Sequence, residues 1–599
     1  MKHKFLFTKK HPLLPVLTAS ILCSCNNNME KENESVPFET FCNPLNLPYR
    51  FALWEHQQGK VGREAADPFI RFENDTYWLF ASKCGGYFHS KDLVHWTFVQ
   101  QPGYPTEQYA PTVLFRDNTC YFLGSSGREL WMNDKLETQP WKLLRKMNDM
   151  PDPDLFQDDD GRVYVYWGCS NSKPIYGQEL DVKNNFEPVG NPVVLIPGLD
   201  LEHHGWEAYD STVSDEEIVK QTPWMEGSNV VKHNGLYYLQ YSAPGTELRT
   251  YADGIYVSDK PLGPYRYEQY SPSTYKPSGY IAAAGHGSTF SGRNQSLWHT
   301  STMKISVNFM FERRIGIFPA VFLKREDGAS DQFHCDTYLG DYPQLVPGEK
   351  PYSSEGSNLA GWMLLSLKKN ATASSTLDSE KYSPSNAFNE EIESAWSAAT
   401  GNPGEWLSVD LGKNCRVNSV QINFADINAK HYGHLNDAYQ YVLEHSVDGK
   451  KWEVLVDRKN NTEDMPHDYI QLKQPVTTRY LKLTNYHTPA NAMFSVSGLR
   501  VFGSGLGNVP SQVSDVKAVR QENRRLLRVN WMPVSNADFY IVRYGIHPDR
   551  LNHNMQVYDA SEILLSGLNT ESEYYVSVDA VNDTGITKGI AVSKNTASL

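Results

Sequence analysis

The sequence predicts an all-β protein, built as a five-bladed β-propeller followed by two antiparallel β-sandwiches. Three observations lead to this fold class. The first half of the chain repeats one strand–turn–strand unit, the pattern of strands changes character after about residue 350, and helical periodicity is almost absent. At 599 residues the chain is also too long for a single domain.

Residues 1–25 have the features of an export signal. A lysine-rich stretch precedes a short apolar run, Leu13–Leu22. The following Cys-Ser-Cys resembles the end of a bacterial lipobox, which predicts that Cys25 carries a lipid; Cys23 is the alternative acceptor, and an ordinary cleaved signal is the other interpretation. Residues 26–46 are polar and predict a disordered tether. We therefore expect a bacterial membrane-anchored lipoprotein that faces the periplasm or the cell surface.

Composition narrows the classes of partner. The net charge is −14, so nothing in the charge balance favours nucleic acid. Beyond the N-terminus no apolar run is long enough to span a bilayer. The six cysteines outside the signal show no CxxC spacing, and several lie in apolar strand contexts, so buried free thiols are the default expectation. These cysteines are Cys42, Cys84, Cys120, Cys169, Cys335 and Cys415.

Residues 47–350 contain the repeated unit and are predicted to be the propeller. Each unit is a short strand, a turn rich in Asp, Asn or Gly, and a second strand with aromatic residues. The units follow one another at about 40 to 75 residues, the range of four-stranded blades with insertions. The first positions of the five units are Asp67, Ala110, Asp152, Glu226 and His286.

Equivalent first positions of inner strands form a ring at one end of a propeller shaft. Three acids and a histidine in such a ring indicate a functional site, although acids before Pro or Gly are also ordinary turn residues. Glu226 follows an apolar Trp-Met pair and precedes a glycine. A carboxyl in such a setting tends to have a raised pKa, which suits a general acid.

An excursion from Ile196 to Pro223 separates the third and fourth units. It contains His203, His204 and Glu207, which are metal-ligating residue types, but the helical spacing of a zinc site is absent. We therefore predict a loop at the rim that shapes the pocket.

Residues 365–503 show the alternation of an antiparallel sandwich, as in Trp406-Leu-Ser-Val-Asp-Leu-Gly and Arg479-Tyr-Leu-Lys-Leu. This segment resembles the discoidin or F5/8 type C module, a jelly roll that often binds sugars such as galactose. The loop that carries Trp396 is a candidate ligand contact, and a core position is the equal alternative.

Residues 510–599 form the third domain. Trp531 lies on an early strand, and Tyr574 opens a late alternating strand. These are the marks of a fibronectin type III sandwich. No residue pattern in this domain indicates chemistry, and we expect it to be a spacer or docking module.

The acid-lined shaft, the export signal and the sugar-binding resemblance together point to carbohydrate chemistry. Glycosidic bonds are cleaved by two carboxyl groups, and a separation of about 6.5–9.5 Å leaves room for a water and implies inversion. Asp67 suits the general base, because a base must be ionised and a polar or partly solvated setting favours the ionised form of an aspartate. Glu226, with its longer side chain and apolar neighbours, suits the general acid.

The motifs Arg-Glu-Ala-Ala-Asp67-Pro, Asp152-Pro-Asp154-Leu-Phe, Glu226-Gly and Gly-His286-Gly resemble glycoside hydrolase family 43, a family of five-bladed propellers. The resemblance implies that Asp67 is the general base and Glu226 the general acid. It also implies that Asp152 raises the pKa of the acid and orients it, with Asp154 as the alternative for this role. At His286, the family holds a water-coordinated ion, often calcium, which the chemistry does not require.

The family resemblance implies an oligo- or polysaccharide substrate, chiefly an α-L-arabinofuranoside or β-D-xyloside, with galactosides as a further class. Sugar rings stack on aromatic faces. Arg313 or Arg314 could reach a sugar hydroxyl or clamp an acid, and a pair of surface residues is the alternative interpretation. The predicted substrate contacts are Trp54, Tyr87, Trp131, Trp206, Trp298 and Arg313, and for each aromatic residue taken alone a position in the blade core is the favoured alternative. A catalytically silent sugar-binding lipoprotein is the alternative function.

Overall fold

The structure is a computed structural model and is almost entirely β, which confirms the predicted fold class. The described residues are 38–54, 59–105, 109–125, 127–325, 328–346, 352–433 and 437–593. The predicted signal, the predicted lipid acceptor Cys25 and residues 26–37 of the predicted tether lie outside them. The prediction of a disordered tether is wrong for residues 38–46, because Thr40–Phe41 is a strand and Cys42 and Leu45 are buried.

Five four-stranded antiparallel sheets follow one another between residues 66 and 335. Each is a meander, so neighbouring strands are also consecutive in the sequence. Their strands are Ala66–Glu73, Thr76–Ser82, Tyr87–Ser90 and Trp96–Val99; Thr112–Arg116, Thr119–Leu123, Glu129–Asn133 and Lys142–Lys146; Asp154–Gln157, Val163–Trp167, Ile175–Asp181 and Glu187–Ile196; Glu226–His233, Leu236–Ala243, Ala252–Ser258 and Arg266–Tyr267; Ala282–Ser291, Leu297–Lys304, Arg313–Leu323 and Gln332–Cys335.

The sheets close into a ring. The first strand of each sheet packs against the first strands of its neighbours, and the first strand of the fifth sheet packs against that of the first. Outside the ring, Thr40–Phe41 pairs with Gln344–Leu345, and Phe51–Trp54 pairs with Lys60–Arg63. This is a propeller whose inner strands surround one shaft.

The second domain is an antiparallel sandwich with a single apolar core. Trp396 is fully buried in that core, packs edge-on against Phe494, and donates its indole N–H to the carbonyl of Ser375. It is therefore a core residue rather than a ligand contact. The strands are Met363–Leu364, Asn370–Ala373, Trp396–Ser397, Trp406–Phe424, Gln440–Ser446, Glu453–Asp457, His467–His487 and Ser495–Ser504.

The third domain has two facing sheets. One has the strands Ser514–Arg520, Leu527–Met532 and Glu562–Leu565, and the other has Phe539–Gly545, His553–Tyr558, Tyr575–Asn582, Gly585–Thr587 and Val592–Ser593. Trp531 is buried against Tyr540. The buried Tyr574 hydroxyl accepts the main-chain N–H of Asn569, five residues upstream.

The excursion between the third and fourth sheets packs against the third domain instead of shaping the pocket. Arg525 of that domain donates to Asp215 and to the carbonyl of Val213. Within the excursion His203 pairs with Asp200, and the Glu207 carboxylate accepts from Tyr241 and from the Asp200 N–H. The predicted rim loop is therefore a docking segment, because these polar groups are used within the loop, by Tyr241 of the fourth sheet, or across the contact with the third domain.

Helices are short. The one α-helix among the described residues is Asp215–Ile218, and no described helix could cross a membrane. The 3₁₀ turns are Val182–Asn184, Gly205–Glu207, Arg293–Gln295, Pro384–Phe388 and Pro489–Asn491.

A buried cation joins the propeller to the second domain. The Arg63 side chain is inaccessible to solvent and lies 2.9 Å from an Asp426 carboxylate oxygen and 2.6 Å from one of Asp464. On the neighbouring strand, Arg314 donates to the ring of His467 at 2.9 Å and to the Arg63 carbonyl at 2.6 Å. Because both charges are buried with their partners, the two domains form one body.

Replacing Arg63 with methionine is expected to lower the free energy of unfolding by about 3–5 kcal/mol, because the carboxylates then stay buried without their cation. Guanidinium unfolding of the full chain, followed by tryptophan fluorescence, measures the loss. The matched control is Arg293→Met, which removes an exposed pair with Asp75 and should cost less than about 1 kcal/mol. Equal losses in the two variants would contradict the proposed role of Arg63.

Candidate active site

The acids predicted from the repeats meet at one cavity of about 1090 Å³. Asp67, Asp152, Glu226 and His286 all line it, although they come from four different sheets. The remaining lining residues are Arg50, Phe51, Ala52, Leu53, Trp54, Glu64, Lys83, Tyr109, Ser125, Pro151, Cys169, Thr246, Phe309, Met310, Phe311, Arg313 and Tyr432. The volume is typical of a pocket for a small molecule or part of a chain.

The starts of the inner strands share one backbone conformation. Asp67, Ala110, Asp152, Gly227 and His286 have φ between 44° and 65°, a region that L-residues rarely occupy. In four of the five, the N–H donates to a hydroxyl of the preceding sheet at 2.6–2.8 Å: Asp67 to Thr302, Ala110 to Ser82, Asp152 to Ser125, and His286 to Ser242. We call these contacts the inter-sheet hydroxyl bonds.

The fourth sheet departs from the predicted register by one residue. Glu226 pairs with Ser242, as Ala66 pairs with Ser82 and Gly285 with Thr302. Glu226 is therefore equivalent to the residue before Asp67, and Gly227 occupies the ring position itself. A bulge follows in the strand, and the longer glutamate side chain still reaches the cavity.

Asp67 is bound by a cation and two hydroxyls. Arg313 lies 3.3 Å from one carboxylate oxygen, and the Ser82 hydroxyl donates to the other at 2.6 Å. The Thr302 hydroxyl contacts the first oxygen at 3.4 Å. Burial alone would raise the pKa of Asp67, but Arg313, His286 and the hydroxyls together hold it below its ordinary value. This carboxyl is therefore stabilised in its ionised form.

Asp152 accepts the Ser125 hydroxyl at 2.7 Å and lies 3.8 Å from the His286 ring. Burial raises the pKa of Asp152, and the charge of Asp67 raises it further, against the opposing effect of His286. No arginine or lysine pairs with this carboxylate among the described residues, so its negative charge acts on the groups around it.

Glu226 has no cationic side chain of its own. The Tyr251 hydroxyl donates to one carboxylate oxygen at 2.5 Å, and the Cys169 thiol donates to the other at 3.2 Å. Burial raises the pKa of Glu226, and the charge of Asp152 adds to this, while His286 and Tyr251 act in the opposite sense. The protonated form is therefore favoured at Glu226 and disfavoured at Asp67.

The His286 ring faces all three acids. Its Nδ1 lies 3.4 Å from Asp67, and burial, which would lower its pKa, is outweighed by the charges of Asp67, Asp152 and Glu226, which raise it. Calcium prefers six to eight oxygen ligands, whereas the carboxylate oxygens here already accept from side-chain donors. These residues do not fit a calcium cage of direct protein ligands, and the water-coordinated ion stays a prediction.

The predicted substrate contacts divide into two groups. Trp54 and Arg313 line the cavity, and Arg313 clamps Asp67 and Glu64 rather than facing open space. The other four side chains pack in or against the sheet cores, away from the cavity lining, so we do not carry a stacking role forward for them. These residues are Tyr87, Trp131, Trp206 and Trp298.

Four residues around the acids were missed by sequence reasoning. Glu64, Cys169 and Tyr432 line the cavity, and Tyr251 is fully buried and donates to Glu226. Glu64 accepts from Arg313 at 2.6 Å and lies within the motif that carries Asp67, so its proximity to that acid was the available signal. Tyr251 precedes the third strand of its sheet, and Tyr432 belongs to another domain. The repeat pattern gives no signal for either of them.

Comparison with known families assigns two of the domains. Residues 61–318 match the family model of glycosyl hydrolases family 43, and residues 370–496 match that of the F5/8 type C domain. The chain therefore contains one domain of each family, and both resemblances drawn from the motifs are confirmed.

Similar proteins cover only parts of the chain. A beta-xylosidase of Xylanibacter ruminicola is 31% identical over 132 residues, 20% of this chain and 39% of the relative. A xylan 1,3-beta-xylosidase of a Vibrio species is 26% identical over 261 residues, 37% of this chain and 44% of the relative. A solved glycoside hydrolase structure is 19% identical with a TM-score of 0.44, covering 76% of this chain and all of that one. This chain thus spans less than half the length of these two curated relatives.

A substitution at Gly227 tests whether the inner-strand starts are packed too closely to accept a side chain at this position. A Cβ there would lie 2.6 Å from the Ser242 hydroxyl and 3.0 Å from the His286 ring. We expect Gly227→Ala to destabilise the fold by about 1 kcal/mol or more beyond Gly235→Ala, because overpacking adds to the strain of a positive φ. Gly235 also has a positive φ but has open space around it. Guanidinium unfolding measures both, and equal losses would contradict the steric argument.

Proposed function

We propose that this chain, through its family 43 glycosyl hydrolase domain, is an inverting glycoside hydrolase that acts on oligo- or polysaccharides. It would remove terminal α-L-arabinofuranosyl or β-D-xylosyl units from plant-type side chains. The observation that carries the proposal is the pair of carboxyls in one cavity with opposite environments: Asp67 is held by Arg313, and Glu226 is held only by neutral donors. Such separation of pKa values marks the acid and the base.

In this mechanism Asp67 is the general base. Its ionised carboxylate removes a proton from a water molecule as the water attacks the anomeric carbon. Arg313 keeps this group ionised in the free enzyme, at the cost of some basicity. Attack from the face opposite the leaving group inverts the anomeric configuration.

Glu226 is the general acid that protonates the leaving oxygen as the glycosidic bond breaks. Asp152 raises the pKa of Glu226, so the proton stays on the acid until it is needed. His286, placed among the three acids, balances their charge and fixes their positions. These roles use only side chains of this chain.

The choice of sugar rests on the relatives. Two of them are named xylosidases, which supports a β-D-xyloside, and a third is named a beta-D-galactofuranosidase, which keeps galactosides as a further class. The alternative function is a sugar-binding protein without catalysis. The full set of acids in one cavity favours the enzyme.

The remaining assignments are also proposals. The sheet order of the third domain, its buried Trp531 and the bond to the Tyr574 hydroxyl support a fibronectin type III sandwich that docks on the propeller. A lipid on Cys25 would anchor the protein to a bacterial membrane. A water-coordinated calcium near His286 would be structural.

Removing either carboxylate should abolish most activity. We expect Glu226→Gln to reduce kcat by about 10²–10⁴-fold on xylo- or arabino-oligosaccharides, and to a smaller extent on 4-nitrophenyl glycosides, whose leaving group needs less protonation. Asp67→Asn should reduce turnover of both substrate types, because water activation is lost. Reducing-sugar release and nitrophenol absorbance measure the rates.

Glu216→Gln, at an exposed acid on the short helix, is the matched control and should keep wild-type rates. Retained hydrolysis in both active-site variants, or an inert wild type that still binds polysaccharide, would contradict the proposal. NMR of the first-formed anomer tests inversion, and a retained configuration would overturn the base role of Asp67.

Arg313 should set the acid limb of the pH profile. Removing its charge in Arg313→Met raises the pKa of Asp67, so the base becomes protonated, and activity is lost, at a higher pH than in wild type. The measurement is log kcat/KM against pH. Arg313→Lys keeps the charge and should stay closer to wild type. If the low-pH decline of kcat/KM occurs at the same pH in Arg313→Met as in wild type, Arg313 does not lower the pKa of Asp67.

A further inference from the structure

The F5/8 type C domain contributes a side chain to the catalytic cavity. Tyr432 lies in a loop of that domain and lines the same cavity as Asp67 and Glu226. Tyr432 is 55% exposed, so much of its side chain remains accessible to a ligand. The cavity is therefore formed by two domains.

The main chain beside Tyr432 is fastened to the propeller side. The Gly433 N–H donates to the Phe51 carbonyl at 2.9 Å in an isolated antiparallel bridge. Phe51 packs in a small apolar cluster with Ala490 of the F5/8 type C domain. Phe51 begins the strand that ends at Trp54, so one strand carries both the bridge and a cavity tryptophan.

A second segment of the cavity wall, from the propeller, also contacts the F5/8 type C domain. Asn308 donates its amide to the carbonyl of Ala425 at 2.9 Å. The next three residues, Phe309, Met310 and Phe311, all line the cavity, and the ring of Phe309 lies 5.0 Å from that of Trp54. We call Trp54, Phe309, Met310, Phe311 and Tyr432 the aromatic belt.

The acids are more deeply buried than the exposed members of the aromatic belt. Asp67 and Asp152 are 6% and 7% exposed, whereas Met310 and Tyr432 are 50% and 55% exposed. The acids therefore lie at the bottom and the exposed part of the belt lies at the mouth. In an enzyme that removes a terminal sugar, the sugar to be released occupies the bottom and the leaving group extends to the mouth.

We propose that the F5/8 type C domain completes the leaving-group subsite, with Tyr432 as a specificity-determining residue that stacks on a sugar ring of the leaving group. The inference rests on the proposed hydrolase function. An apolar ring face with a polar rim suits a glycosyl unit, which has the same division of surfaces. The preferred substrate is then an oligosaccharide or a polysaccharide chain end, rather than a glycoside with a small leaving group.

The test compares substrates that share a sugar but differ in leaving group. These are xylotriose and β-D-xylosyl fluoride, with arabinotriose and methyl α-L-arabinofuranoside for the other sugar. In the full-length protein, Tyr432→Ala should lower kcat/KM for the trisaccharide about 3- to 10-fold, mainly through KM, because a stacked ring contact is lost. The small-leaving-group substrate should be hydrolysed at the wild-type rate, and Tyr432→Phe should restore the trisaccharide rate.

The matched control is Tyr486→Ala, at an exposed tyrosine of the same domain outside the cavity lining, and it should leave both substrates unaffected. Equal loss on both substrates, or no loss on the trisaccharide, would overturn the role of Tyr432 while leaving the hydrolase intact. A wild-type protein inactive on every substrate would instead overturn the proposed function, and this inference with it.

Discussion

The inter-sheet hydroxyl bonds are the constraint on which the site depends. Each fixes a residue of positive φ at the start of an inner strand to the sheet before it, and the bond from Asp67 to Thr302 links the first sheet to the last. The same hydroxyls also contact acids: Ser82 binds Asp67, and Ser125 binds Asp152. Closure of the ring and placement of the carboxylates are therefore one set of interactions, in which the hydroxyl donors that hold the acids also join the sheets.

Charge links this ring to the second domain. Arg313 and Arg314 are consecutive residues of one strand, so their side chains point to opposite faces. Arg313 binds Asp67 in the cavity, and Arg314 binds His467 and the carbonyl of Arg63 at the domain contact. One face of this strand therefore presents Arg313 to Asp67 in the cavity, and the other face presents Arg314 to the second domain.

The sequence predicts the site residues that occupy a repeated position of the strand–turn–strand unit, and it gives no indication of the site residues that lie outside that unit. Asp67 and Asp152 were accessible because an acid before Pro recurs at one position of a regular unit. Glu226 was predicted one position away from its true place in the repeat, because the acids were aligned with one another, whereas Gly227 has the positive φ of the ring position. Tyr251 and Tyr432 had no signal, because only the folded chain brings Tyr251 to the Glu226 carboxylate and Tyr432 to the cavity. Aromatic residues were over-assigned to the substrate, since blade cores and sugar sites use the same residue types.

The buried contact around Arg63 has a consequence for how such a protein can evolve. A chain shortened to its propeller would leave Arg63 and Arg314 without Asp426, Asp464 and His467, and would expose apolar surface that now packs against the sandwich. Exchange of this module for an unrelated one would meet the same obstacle. We therefore expect the two units to be inherited together, and changes of substrate to arise by altering loops at their junction rather than by exchanging whole domains.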